Sequence, residues 1–370
     1  MSDFYEISQG QDWNRIKQEI FSKKAYDVES ALDKDYRTLD DFFALLSPSA
    51  EVYLEDMAHM AHQITVQRFG KIILMFAPLY LSNECTNACI YCGFNRNNSI
   101  QRMTLTVEQV LQEAMSLYQL GFRHILLVSG EATQKVNMDY LKNVVEKLRD
   151  LFASISIEIY PMSVESYSVL IEKGVDGLTV YQETYHPERY HMVHGTGPKQ
   201  NYSWRINTPD RGGIAGFRRI NIGVLLGLYE WQIEAAFIGL HAEHLIRTYW
   251  KSHIGISFPR LRPAAGGYMP EYIVNDKNIV QLICALRLFL PDAGLVLSTR
   301  ESSWFRDNVI PLGITQMSAG SKTAPGGYTL SRDIDGQFEI EDSRTPEQVV
   351  KKIITLGYDP VWKDWDVALI

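Results

Sequence analysis

Residues 71–92 read K-I-I-L-M-F-A-P-L-Y-L-S-N-E-C-T-N-A-C-I-Y-C, an apolar run that ends in three closely spaced cysteines. The run from Lys71 to Leu81 has the length and apolar character of a strand. Just beyond it, Cys85, Cys89 and Cys92 stand in a CxxxCxxC spacing, and the chain's one other cysteine, Cys284, lies far away in an apolar stretch. Thiolates gathered this closely suit soft metals: zinc, copper(I) or iron–sulfur. An iron–sulfur cube normally takes four cysteine ligands. Three leave one iron with an open position, and a vacant position is what separates catalytic from structural zinc. A structural zinc site made of three cysteines and a histidine is the competing reading, although zinc ligands usually come as separated CxxC pairs. Disulfides fit less well, because a chain of this length does not need them and no signal-peptide pattern opens it.

Outward from this stretch, strand and helix patterns alternate. Thr106 caps a predicted helix that Gly121 closes, and the strand H-I-L-L-V-S-G follows. A helix is predicted from Met138 to Leu151, then the strand S-I-S-I-E-I-Y-P, then a helix from Val164 to Lys173 stopped by Gly174. The strand G-L-T-V-Y-Q-E leads through a longer loop to a helix around Tyr202 to Gly216. The series continues with I-N-I-G-V-L-L-G-L, a helix from Trp231 to Trp250, G-I-S-F-P-R-L-R-P, a helix over 276–290, L-V-L-S-T-R-E and I-T-Q-M-S-A-G. About eight repeats over 71–320 predict an α/β fold, a (β/α)8 TIM-type barrel. Residues 1–70 form a predicted N-terminal helical extension, with Asp12 or Thr38 as caps and helical spacing up to Gly70. Residues 321–370 form a C-terminal extension: a Gly/Pro/Ser loop, a helix in T-P-E-Q-V-V-K-K-I-I-T-L, and a Trp-rich end, P-V-W-K-D-W-D, packed on the barrel.

With 46% hydrophobic and 22% charged residues, the 370-residue chain has material for a large core, and its net charge of −8 argues against nucleic-acid or membrane-surface binding. No run approaches the roughly 20 apolar residues of a membrane span. A reduced cytoplasm is the compartment that suits exposed thiolates.

A barrel's active site lies at the C-terminal ends of its strands. Charges stand there after apolar runs: Glu131, Glu158, Glu183, Arg260, Arg262, Arg300 and Glu301. Burying them is costly unless they are paired or bound. Rim salt bridges are the plain reading. Acids suit amino groups or ribose hydroxyls, and arginines suit carboxylates. Arg300, flanked by Ser298 and Thr299, offers a fork and hydroxyls for a carboxylate, and Arg260 has a similar claim. His59 and His62 read as surface or packing residues, and Cys284 as a core helix residue.

The cysteine loop after the first strand resembles that of the radical S-adenosylmethionine (SAM) superfamily. The resemblance implies a [4Fe–4S] cluster on Cys85, Cys89 and Cys92 whose open iron is chelated by SAM. It further implies that Ser129-Gly130-Glu131 receives the SAM amino group and that Glu158 meets the ribose. Arg205 would pair with the SAM carboxylate, and Tyr91 and the stretch Gly223 to Leu228 would lie beside the adenine. The segments P-L-Y-L-S-N-E-C-T-N-A-C-I-Y-C-G-F, L-L-V-S-G-E, V-Y-Q-E-T-Y-H, S-F-P-R-L-R-P, L-S-T-R-E-S and S-K-T-A-P-G-G-Y resemble the aromatic amino-acid lyases and together look like the 2-iminoacetate synthase family, the tyrosine lyases of thiamine thiazole biosynthesis. That likeness implies cleavage of the Cα–Cβ bond of L-tyrosine to p-cresol and 2-iminoacetate, passed to thiazole synthase, with electrons from a low-potential donor such as flavodoxin. Glu183 would hold either substrate or SAM. The alternatives are a tryptophan lyase, the tyrosine lyase of hydrogenase maturation, which carries a second cluster on further cysteines, and a non-enzymatic metal or electron-transfer protein.

Overall fold

The computed structural model describes residues 3–330 and 334–363. Eight parallel strands close into a barrel: β1 Ile72–Ser82, β2 His124–Ser129, β3 Ser154–Glu158, β4 Gly177–Glu183, β5 Arg219–Val224, β6 His253–Ser257, β7 Gly294–Leu297 and β8 Gln316–Ser318. Each pairs with its sequence neighbour, and β1 pairs with both β8 and β2, so the sheet has no open edge within the ring. On β1 the alternation is plain: Ile73, Met75, Ala77 and Leu79 are buried outward against the helices, while Phe76 and Tyr80 face the inside.

The helices between strands start and stop where the local chemistry directs. Thr106 and Gln109 form a reciprocal capping box at the start of helix Val107–Gln119, and Gly174, in the left-handed region at φ 117°, ends helix Val164–Lys173. The N-terminal helices lie on the outer shell, with Phe42 stacked on Phe289 at 4.5 Å between ring centroids. Cys284 is fully buried in helix Asp276–Phe289, and His62 hydrogen-bonds the Pro311 carbonyl at 2.9 Å.

Several elements differ from the expectation. The loop after β4 contains a short helix, Pro187–Val193, and the helix expected around 202–216 is two, Tyr202–Ile206 and Thr208–Ala215, divided at Asn207 before Pro209. Helix Ser303–Gly313 joins β7 to β8 with Pro311 inside it. The C-terminal extension supplies a ninth strand, β9 Asp359–Val361, parallel to the base of β1, and Trp362 packs edge-on against Phe122. Asp364, Trp365 and Asp366 of the Trp-rich end lie outside the described residues. No helix among the described residues is long and apolar enough to cross a membrane.

Candidate active site

A cavity opens beyond β1 and at the C-terminal ends of β2 to β4. Cys85, Cys89, Cys92, Tyr91, Ser129, Gly130, Glu131, Glu158, Glu183 and Arg205 all line it, together with Asn87, Lys199 and Gln337. The three thiols share one wall. Among the described residues no three His, Cys, Asp or Glu side chains converge on a point as a single ion would require. A cube of irons makes a different demand, since each cysteine holds its own iron. As free thiols these groups are costly to ionise: burial, then the neighbouring Cys85, pushes Cys92 up to about 11, and burial pushes Cys89 up to about 12. Thiolate ligands of a metal centre recover that cost.

The cysteine loop is held from three sides. Arg102 donates to the carbonyls of Asn83, Phe94, Asn95 and Asn98 at 2.6–3.2 Å. The Ser129-Gly130-Glu131 turn approaches so closely that a Cβ on Gly130 would sit 2.3 Å from the Glu84 carbonyl, and Thr86 donates through its amide and hydroxyl to the Glu131 carbonyl at 2.9 Å. From the third side, the Ala88 amide bonds to Thr196 O at 2.8 Å and the Ile90 amide to Val193 O at 3.0 Å. His194 Nδ1 lies 2.7 Å from the Tyr190 carbonyl, so that nitrogen carries the proton and Nε2 accepts from the Tyr91 hydroxyl at 2.8 Å. Burial, followed by Lys199 and Arg205, drives His194 well below the usual histidine range and keeps it neutral.

Charged groups line the rest of the cavity. Asn87 donates to Glu131 at 2.7 Å and accepts from the Lys199 amide at 2.8 Å. Lys199 Nζ bonds to Glu183 at 2.6 Å. Among the described residues Glu183 is the non-glycine residue with positive φ, 71°, beside a register shift between β4 and β5, and strain of this kind gathers at functional sites. Burial, then repulsion from Glu183, pushes the Glu158 carboxyl up to about 7 against the pull of Arg300, Lys199 and Arg205. Arg205 Nε donates to the Tyr181 carbonyl at 2.7 Å, and its other nitrogens make no hydrogen bond to the described residues. Ser129 Oγ is buried without a partner among the described residues. An open guanidinium fork, an orphaned hydroxyl, paired acids and three clustered thiols fit the carboxylate, amine and ribose of SAM beside an iron–sulfur cluster. Leu225 and Leu228 pack with Cys89 and Tyr91, so the Gly223 to Leu228 stretch does flank Tyr91.

Two arginines fare differently. Arg260 does not line this cavity: its guanidinium is bidentate to Glu301, with Nε to Oε2 at 2.9 Å, and reaches Asp276 at 2.7 Å. It is a rim ion pair. Glu301, the expected partner of Arg300 in the plain reading, is thereby committed elsewhere. Arg300 stacks over the Phe338 ring at 3.4 Å and, among the described residues, has no carboxylate within ion-pair distance. Its charge reaches Glu158 and Tyr80.

The sequence reading missed Asn87, Lys199, His194, Arg102 and Gln337. Asn87 sits inside the cysteine motif, and Lys199 follows the glycine-rich H-G-T-G-P, read there as loop. Gln337 had no local signal. It arrives on the C-terminal extension, where the Tyr80 hydroxyl donates to its Oε1 at 2.8 Å and its Nε2 faces Cys92 Sγ at 3.8 Å.

Residues 79–237 match the radical SAM superfamily, and residues 257–359 match the biotin and thiamin synthesis associated domain. The 2-iminoacetate synthase of Escherichia coli (strain K12) is 46% identical over 97% of this chain and 95% of that protein. That of Salmonella typhimurium is 46% identical over 96% and 94%. Among solved structures, HydG, a maturase of the [FeFe]-hydrogenase, superposes with a TM-score of 0.89 at 34% identity, covering 95% of this chain and 80% of HydG. Radical SAM membership implies a [4Fe–4S] cluster and SAM, and this identity extends across nearly the whole chain: it belongs to the 2-iminoacetate synthase family of the radical SAM superfamily.

Proposed function

We propose that this chain is a tyrosine lyase that cleaves the Cα–Cβ bond of L-tyrosine to 2-iminoacetate and p-cresol. The observation that carries the reading is the cavity itself, in which three thiols face an unoccupied arginine fork, an orphaned serine hydroxyl and three acids at the strand ends. Family membership supports it along the full chain. When bound, a [4Fe–4S] cluster and SAM supply a 5′-deoxyadenosyl radical, which removes a hydrogen atom from the substrate.

The protein's own part is to bind, orient and exclude water. Arg205, fixed through Nε, presents its remaining donors to a carboxylate. Ser129 and Glu131 receive an ammonium, and Glu158 accepts from ribose hydroxyls. Tyr91, anchored by His194, gives the adenine a rigid wall. Arg300, flattened on Phe338, holds the tyrosine carboxylate and so fixes the amino group beside the radical carbon. Glu183, paired with Lys199, lies between the two ligands and keeps both charges compensated while the site is open. Thiazole synthase would receive the 2-iminoacetate, and a flavodoxin-like donor in the cytoplasm would supply the electron.

The test is anaerobic reconstitution with iron and sulfide, followed by SAM, reductant and tyrosine, with products identified by mass. The expected products are p-cresol, 5′-deoxyadenosine and glyoxylate from hydrolysed 2-iminoacetate. Deoxyadenosine without p-cresol, or indole products from tryptophan at the higher rate, would remove the tyrosine reading.

A further inference from the structure

The inward positions of a (β/α)8 barrel are ordinarily filled by layers of bulky branched side chains. In this chain the strand register arranges otherwise. Ser156 on β3 stands beside Gly177 on β4, Tyr181 on β4 beside Gly223 on β5, and Asn221 on β5 beside Gly255 on β6. A Cβ on Gly177 would lie 2.1 Å from Ser156 Oγ, one on Gly223 2.4 Å from the Tyr181 ring, and one on Gly255 2.6 Å from Asn221 Oδ1. Three successive side chains therefore lean across the neighbouring strand, each over a glycine, and leave the barrel axis open.

The space they leave is a cavity with apolar walls at Phe76, Leu126 and Val296, polar groups at Thr179, Asn221 and Ser257, and a charged and imidazole floor at Arg219, His124 and His253. It sits below the cysteine cavity and is joined to it through Tyr181: the Tyr181 side chain lines the lower space, and its carbonyl accepts from Arg205, which lines the upper one. Asn221 Nδ2 donates to Ser257 Oγ at 2.9 Å, which fixes the carboxamide, and Asn221 Oδ1 is left buried without a partner among the described residues. An acceptor of this kind is expensive to leave unpaired, so native interiors rarely do so without a ligand or water to meet it.

We propose that this axial cavity receives the p-hydroxyphenyl ring of the substrate, with Asn221 Oδ1 accepting the phenolic hydrogen bond and Ser257 holding the carboxamide in that orientation. The inference rests on the tyrosine-lyase reading and adds the residues that choose the side chain. The ring enters between apolar walls with its hydroxyl leading, and the amino-acid end stays at the rim near Arg300 and Glu158. Asn221 is then a specificity residue. A site built to bond a hydroxyl rejects the analogue that lacks it far more strongly than an apolar pocket can reject an extra methylene. Phenylalanine would leave Asn221 Oδ1 unpaired, and an indole would bring its N–H to a different place.

The experiment uses the reconstituted holoenzyme with SAM and reductant. It compares wild type, Asn221→Leu and Ser257→Ala, with SAM affinity and melting temperature measured alongside. Wild type should form p-cresol and prefer tyrosine to phenylalanine by at least about a hundredfold in kcat/KM. Asn221→Leu should raise the tyrosine KM about tenfold or more and narrow the tyrosine–phenylalanine gap by a similar factor, with SAM affinity unchanged. Ser257→Ala, which frees the carboxamide to turn and is the smaller disturbance, should narrow the gap in the same direction even where Asn221→Leu folds poorly. An unchanged tyrosine KM and an unchanged gap in a folded variant overturn the assignment of Asn221 while leaving the lyase reading intact. A wild type that makes no p-cresol overturns the lyase reading and this inference with it.

Discussion

Two buried glutamates should make this fold lose stability as the solution turns alkaline. Glu158 is pushed up to about 7 by burial and then by Glu183. Glu234, 1% exposed on helix Trp231–Thr248, is pushed up to about 7 by burial, although it accepts from the Thr184 hydroxyl and from the Tyr185 amide at 2.8 Å. Both carboxyls start from 4.5. Between those values the folded chain keeps protons that the unfolded chain has released, so stability falls as pH rises. The contribution is complete below about 4.5 and is lost by the time pH has climbed through 7. A shift of this size corresponds to about 3 kcal/mol for a fully buried group. Glu234 should approach that figure. Glu158 lines a cavity that solvent reaches, so its share is discounted to about 1–2 kcal/mol. The assay is thermal unfolding of the reduced, metal-free protein from pH 5 to 8.5, above the range in which Asp41, Asp210 and Asp342, all held low, take up protons. Buried His194 and His241, both held low, titrate in the opposite sense below about 6.5, so the glutamates' part is the difference between wild type and variants across this window, several degrees in melting temperature. Glu234→Gln should gain melting temperature relative to wild type as pH rises from 5 to 8, Glu158→Gln less, and the double variant about the sum of the two. Variants whose melting temperature runs parallel to that of wild type from pH 5 to 8 would refute the reasoning.

Four further outcomes are predicted. Replacing any one of Cys85, Cys89 or Cys92 with alanine should abolish the visible absorbance of a normal reconstituted cluster and its SAM cleavage, whereas Cys284→Ala should change only stability, since Cys284 packs inside a helix; normal cleavage by the Cys89 variant would contradict this. Arg205→Ala should still assemble the cluster but weaken SAM binding by about 1.5–3 kcal/mol, as for a charge-assisted hydrogen bond, measured by calorimetry. Arg300→Lys keeps the charge and loses the planar fork on Phe338, so it should still form 5′-deoxyadenosine but with less p-cresol per deoxyadenosine; a normal ratio would take Arg300 out of the substrate site. Gln337→Leu removes an N–H that faces Cys92 Sγ and should move the cluster's midpoint potential to a more negative value in a redox titration followed by electron paramagnetic resonance.

The fold was legible because its signals are local and repeated. An apolar run after Gly70, a capping box at Thr106 and a left-handed glycine at Gly174 each announce an element within a few residues. What stayed hidden lacked such a signal. Helix Ser303–Gly313 carries Pro311, which breaks the expected pattern, and β9 is three residues long with Pro360 at its centre, so only the edge of β1 makes it a strand. In the cavity, the thiols and strand-end acids could be read because a barrel brings strand ends together whatever the loops do. Lys199 and Gln337 could not, since long loops bring them in from 107 and 245 residues beyond Cys92. Arg260 and Arg300 looked alike in sequence, both following apolar strands. Only the side chain of Glu301, turned toward Arg260 and away from its own neighbour, separates a rim ion pair from a guanidinium left for other work.

The C-terminal extension ties these observations together. Its segment around Gln337 lies over the cysteine loop: the Gly93 amide donates to Gln337 O at 2.9 Å, and a Cβ on Gly93 would fall 2.5 Å from the Gly336 carbonyl. A residue later, Phe338 flattens Arg300, and the Glu341 amide bonds to the Thr299 carbonyl at 3.0 Å. One extended segment thus touches the wall that carries the thiols and the arginine assigned to the substrate carboxylate. Its far end returns as β9 to the base of β1, the strand whose top leads into the cysteine loop. Anchored at both ends of that strand, the extension fixes the height of Gln337 and Phe338 above the barrel. Arg300 then has few ways to move, and a fork held still is what a reaction that must place one amino group beside one carbon requires.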